Sequence, residues 1–226
     1  MNPILRAVAS LLVLAAVCAR ADLTILQEIS SQDNPKSAMV TTTKWKGDKI
    51  RLDAGGKVSM IVDGKDGGMV SLMHEQKIAV PLSAAVQKMA GQMAGGAGTD
   101  PADPAQFQGT GRTETMIGLA CEEFTGTISG QKISTWITKD VPEYKGLAEQ
   151  LQSIAPQLKQ YQSPLSGNPA LQGLPVLTEI TGQNGKKTTI RVQAISRDGI
   201  ADSEFKIPDG YRKMEIPQIP GMPTGR

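Results

Sequence analysis

Histidine and cysteine are nearly absent from this 226-residue chain, which holds one of the first and two of the second. A metal site needs three or four ligands, so a Cys/His cluster is excluded. Aromatic residues make up only 4%, while methionine is plentiful at ten. The core must therefore be filled by Met, Val, Ile and Leu, which pack adaptably. Charge of one sign is missing too. Of 24 basic and 22 acidic residues, the first 21 positions hold Arg6 and Arg20 and no acid, which leaves 22 of each beyond them. That balance argues against a nucleic-acid partner, whose phosphates call for a basic surface. No Gly-rich phosphate loop or serine elbow follows a strand and opens a helix, so the chain reads as no enzyme and as needing no cofactor.

Only one long apolar run exists, and it lies at the start. Arg6 precedes the uncharged AVASLLVLAAV of residues 7–17, and Ala19-Arg20-Ala21 supplies the small residues of a cleavage site. Residues 1–21 read as a signal peptide cut before Asp22, which predicts export to the periplasm or beyond. Cys18 would be the alternative, acylated N-terminus, but Val17 stands where a small residue is usual. Nothing later is apolar enough for a membrane span, so no integral membrane protein is expected.

From Asp22 to Leu82 the pattern is β. Met39, Thr41, Thr43 and Trp45 alternate along one strand, Ile50 and Leu52 along the next, then Val58, Met60 and Val62, with Lys46-Gly47-Asp48-Lys49 and Ala54-Gly55-Gly56-Lys57 as turns. Short strands joined by Gly turns, with no helix between them, describe an antiparallel meander. Residues 83–94 then read as a short helix with Ser83 as cap, and residues 95–109 as a mobile Gly/Pro-rich loop. The most structured later stretch is residues 117–142. It predicts a hairpin of 117–128 and 132–138 around Ser129-Gly130, and Pro142 then opens a helix over 143–161. Leu147, Leu151, Ile154, Leu158 and Tyr161 form that helix's apolar stripe, with Pro156 as a kink or break. Residues 176–181 and 187–196 predict a second hairpin around Asn184-Gly185, residues 205–211 a last short strand, and residues 216–226 a loose Pro-rich tail. The class is α+β, a single domain over residues 22–215.

Several stretches resemble a family of uncharacterised bacterial exported proteins built on a domain of unknown function. They are residues 46–53 (KGDKIRLD), 59–63 (SMIVD), 117–124 (IGLACEEF), 136–138 (WIT) and 205–211 (FKIPDGY). More distantly, the strand, Asp-Gly turn, strand, strand order of residues 58–82 is similar to the periplasmic lipoprotein-carrier (LolA/LolB-like) superfamily. That resemblance implies an open half-barrel of antiparallel strands covered by two or three helices, with an apolar cavity between them. It also implies a lipid or lipidated protein as partner.

Single residues offer little chemistry. Cys121, alone beyond the leader, reads as a small buried hydrophobe between Ala120 and Phe124. His74 reads as a surface or strand-end residue. Glu122 and Glu123 are adjacent on a strand and point to opposite faces, so they make no catalytic pair. Two functional readings remain. One is a binding module that holds an apolar ligand between sheet and helices, with Met60, Val62, Met69, Met73, Ile137, Leu147 and Leu151 as the lining. The other is a non-enzymatic interaction or structural protein of the cell envelope.

Overall fold

The computed structural model describes residues 22–65, 68–82, 106–128, 130–153 and 171–214. The signal peptide, the 83–94 helix and the 216–226 tail of the sequence reading lie outside them, as does the 143–161 helix beyond Ser153.

Two meanders share one sheet. The first consists of β1 (Leu23–Ser31), β2 (Asn34–Lys46), β3 (Lys49–Ala54), β4 (Val58–Asp63), β5 (Gly68–Met73) and β6 (Ile78–Pro81). The second consists of β7 (Phe107–Met116), β8 (Leu119–Ile128), β9 (Gln131–Thr138), β10 (Leu174–Thr181) and β11 (Lys187–Ser196). Pairing of β1 with β11 fuses them, and a two-residue β12 (Arg212–Lys213) is added in parallel beside β6. The order is β12-β6-β5-β4-β3-β2-β1-β11-β10-β9-β8-β7, antiparallel except at β12. The sheet stays open, with β7 and β12 as its edges. Of the two or three covering helices expected, the described residues contain one, α1 (Glu143–Ser153).

The tight turns form where glycine permits a left-handed backbone: Gly47, Gly55, Gly56 and Gly185 have φ of +58°, +57°, +69° and +77°. Three expectations are corrected. The start of the central hairpin is a turn, because Ile117 and Gly118 (φ 46° and 80°) reverse the chain between β7 and β8. Phe107 to Gly109 belong to β7 and not to a loop, because Phe107 is buried against Ile133, Ile137 and Leu171. Residues 205–211 form no strand. A 3-10 turn at Asp202–Phe205 leads into a strap whose Ile200 and Phe205 bury themselves on Ile61, Leu72 and Ala79. The alternation of Phe205 and Ile207 serves that packing, while Pro208 cannot donate to a ladder.

Side-chain rows show where the main core lies. Leu23, Trp45, Ile50, Val62 and Met69 are opposite one another across β1 to β5, and all belong to one buried cluster with Val141 and Leu147 of the α1 region. Gly146 of α1 lies so close to Trp45 that an added Cβ would come within 2.9 Å of the indole ring. The indole N–H of Trp45 donates to Gln150 Oε1 at 2.7 Å, and the amide of Gln150 donates to the carbonyl of Asp48 at 2.5 Å. At the helix start, Arg197 forks onto Glu143 at 2.8 and 3.2 Å, tying α1 to the end of β11.

Candidate functional site

The apolar face beside α1 is the first candidate. Val62 and Met69 are buried in one cluster with Leu147 of the helix, and Met60 and Leu151 pack half-buried against the same cluster. Met73 lies on the same face two rows further out and is 41% exposed. Ile137 does not join them. It sits in a separate cluster with Phe107, Ile133 and Leu171, because the far meander folds over its own end of the sheet.

Burial on this face falls row by row while the chemistry stays largely apolar. Beyond the covered row, Ile25, Thr43, Leu52, Met60, Ser71 and Val80 align across β1 to β6, and all but Ile25 are half-exposed. The next row holds Thr41, Ala54, Val58, Met73 and Ile78. Here Val58 and Met73 are each 41% exposed, and Met39, one row further on β2, is 41% exposed. Among the described residues nothing covers this outer part.

The opposite face carries a polar network that the sequence did not reveal. Arg51 donates through Nε to Asp53 Oδ1 at 2.7 Å, through Nη1 to the carbonyl of Glu204 at 2.9 Å, and through Nη2 to Ser59 Oγ at 3.2 Å. Ser59, wholly buried, gives its hydrogen to Asp53 Oδ1. His74 Nε2 lies 2.6 Å from Ser59 Oγ, and its Nδ1 lies 2.5 Å from the hydroxyl of Tyr211. Since the serine hydrogen is committed to a carboxylate, Nε2 must carry a proton and donate. The ring Nδ1 is then left to pair with the Tyr211 hydroxyl. His74 thus follows a strand end as expected, but its ring is engaged and is not a free surface group.

Serine, histidine and aspartate together invite comparison with a nucleophile and its base, and the wiring opposes it. A general base must take the serine proton through an unprotonated nitrogen, and an acid must orient the far side of the imidazole. Here the acid binds the serine, and the serine oxygen receives two donors. The arrangement holds the strap on the sheet. Three of the stretches that carry the family resemblance, residues 46–53, 59–63 and 205–211, meet in it. No regular spacing links Arg51, Ser59, His74 and Tyr211, so only their tertiary approach identifies the set. Tyr211→Phe is expected to lower stability by about 1 kcal/mol by leaving His74 Nδ1 without its hydrogen-bond partner. Amide exchange over residues 200–214 should speed up while α1 keeps its protection; an unchanged strap would show that the clip does not hold it.

A buried acid lies at the far meander. Glu123, 8% exposed, accepts from Thr110 at 2.9 Å, Ser134 at 2.9 Å and Arg112 at 3.0 Å, and the Arg112 guanidinium lies 5.3 Å from the ring centre of Trp136. Burial pushes its carboxyl up, but the bonds from Thr110 and Ser134 and the Arg112 charge outweigh this and leave it below the ordinary carboxylate value of 4.5. The stabilisation is therefore present above the unfolded value and is lost as pH falls through the lower folded one. Chemical denaturation of wild type and Glu123→Gln should show wild type more stable at neutral pH, with the gap closing from about pH 5 downward. A gap independent of pH would mean that charge at Glu123 is irrelevant. Glu122 faces the other way and pairs with Lys139. Cys121 is buried, and burial pushes its thiol up.

Among the described residues, no three His, Cys, Asp or Glu side chains come together to hold a metal, and no helix is long and apolar enough to cross a membrane. Among curated proteins none matches the chain. Of solved structures, PNGF-II in two crystal forms is similar, with TM-scores of 0.45 and 0.42 at 14% and 13% identity. The match covers 87% and 86% of this chain but 32% and 31% of PNGF-II, so the chain spans about a third of that protein's length. A LolA superfamily protein from Nitrosomonas europaea is similar over 82% of this chain and 89% of its own, at 12% identity and a TM-score of 0.30. Overlaps this loose carry no argument about this chain. The family described as Domain of unknown function (DUF4412) matches residues 30–211, and the chain belongs to that family.

Proposed function

We propose that the protein is an exported, non-enzymatic binding protein of the cell envelope that takes an apolar, lipid-like ligand on the outer rows beside α1. The leader-like residues 1–21 support export, and the serine oxygen saturated by Arg51 and His74 supports the absence of hydrolytic chemistry. One observation carries the ligand class. The face stays rich in Leu, Met, Val and Ile after α1 has stopped covering it, from Leu52, Met60 and Val80 to Val58, Met73 and Ile78. Methionines at its centre can repack around chains of different shape.

Titration with a fluorescent fatty acid tests the reading. Saturable binding is expected in wild type, with a loss of about tenfold or more in Met73→Glu. That residue is exposed, so the substitution leaves the core intact. No binding at about 100 μM, or equal binding by the variant, would sink the lipid reading. A second reading is favoured by Val58, Met73 and Met39 standing outside a filled core: the same patch would then meet a protein partner of the envelope.

A further inference from the structure

A different surface, at the far meander, has the opposite chemistry. Across β7, β8, β9 and β10, Gln108, Thr125, Ser134 and Glu179 are direct cross-strand neighbours and form one unbroken polar row. The row beyond it aligns Thr127, Lys132 and Thr181. Together with Gln106 these side chains line a cleft of about 870 Å³, within the size range of small-ligand sites. The cleft is bordered on the next row by Glu123 and Trp136, with Arg112 lying over the indole.

Three properties of the lining select the ligand. Its groups are mainly hydroxyls and primary amides, which donate and accept at the same site. Among the described residues, the side chains of Gln108, Thr125, Thr127, Lys132, Glu179 and Thr181 make no side-chain hydrogen bond or ion pair, whereas Ser134 gives its hydrogen to Glu123 at 2.9 Å. Lys132 and Glu179 contribute one charge of each sign. An apolar guest would strip water from these groups without replacing its bonds, which is unfavourable. A polyanion would need several cations, and the cleft has one. What fits is an uncharged molecule dense in hydroxyls that both give and take hydrogen bonds.

We infer that this cleft binds a neutral carbohydrate chain laid across β7 to β10. The row through Gln108, Thr125 and Ser134 engages its hydroxyls, and Lys132 and Glu179, neighbours on β9 and β10, engage its end over β10. The site is separate from the apolar face beside α1, and its chemistry rests on none of the residues proposed there.

Calorimetric titration of the full mature chain tests it with maltohexaose, cellohexaose and an N-acetylglucosamine hexamer as neutral probes, and a heparin-derived hexasaccharide as polyanion. At least one neutral probe should bind saturably at or below about 1 mM. The double variant Gln108→Ala/Thr125→Ala should bind it about tenfold more weakly, because two hydrogen-bonding groups are lost. Both side chains are exposed, so the melting temperature should stay at the wild-type value. Failure of all three neutral probes would overturn the inference. So would undiminished binding by a folded double variant, or binding confined to the polyanion and abolished by salt. Fatty-acid binding in the separate titration bears on none of these outcomes.

Discussion

Trp45→Ala is expected to lower unfolding free energy by about 3–5 kcal/mol, the range for removing a buried large aromatic side chain. Trp45 is 6% exposed in the middle of the buried row Leu23–Trp45–Ile50–Val62–Met69. Its ring is also the surface on which α1 rests, since Gly146 leaves no room for even a methyl group there. Loss of the indole opens a cavity beneath the helix, removes the donor that Gln150 accepts from, and loosens the link through Gln150 to the Asp48 turn. Urea unfolding measures the stability change, and amide exchange over residues 143–153 locates it. Trp45→Phe separates the two contributions. It keeps most of the buried apolar area and forfeits the hydrogen bond, so it should be the milder change. A loss under about 1 kcal/mol in Trp45→Ala would mean that α1 is held elsewhere, by Arg197 on Glu143 above all.

Gly173→Ala should be comparably severe, at about 3–5 kcal/mol, for a different reason. Gly173 stands just before β10 with φ of +135°, a backbone region that L side chains rarely enter. A Cβ there would lie 2.3 Å from the carbonyl oxygen of Thr138 and 2.8 Å from Ile137 Cγ2. The obstacle is strand backbone, which cannot swing aside as a side-chain tip can. On one side of β9, Thr138 is wholly buried, and on the other Ile137 packs with Phe107 and Leu171, so neither direction offers slack. The variant should fold, if at all, with a lowered melting temperature and with β10 shifted against β9. A melting temperature within a degree or two of wild type would show that residues 171–173 relax freely.

Much of the first meander was legible in the sequence, and the candidate face only partly. Alternation along residues 39–62 fixed which side chains share a face, so Met60, Val62 and Met69 were placed correctly beside Leu147. Alternation says nothing of how far a helix covers a row, and so it could not separate Val62, wholly buried, from Met73, well exposed. Ile137 was misplaced for a related reason. Both faces of β9 are buried at its end, so a strand reading cannot choose between the clusters of Trp136 and of Ile137. Strand β7 was missed because its exposed Gln, Gly, Thr and Arg are those of an open edge, and only pairing with β8 makes it a strand. Its closing turn places the β-branched Ile117 at positive φ, where local propensity argues against a reversal.

By itself the sequence determined the β character of residues 22–82, the glycine turns, the start of α1 at Glu143 and the burial of Cys121. Each is a local matter of periodicity, φ preference or side-chain polarity, readable within a dozen residues. Only the tertiary structure decided that β1 pairs with β11 and fuses two meanders into one open sheet. It alone seated residues 200–211 as a strap and joined Arg51, Asp53, Ser59, His74 and Tyr211 across as many as 160 positions of chain. It alone aligned Gln108, Thr125, Ser134 and Glu179 into one polar row. These are contacts between residues far apart in sequence, formed because burying Leu23, Val192 and Phe205 outweighs the entropy of closing long loops, and no local pattern encodes which distant partner a segment will meet.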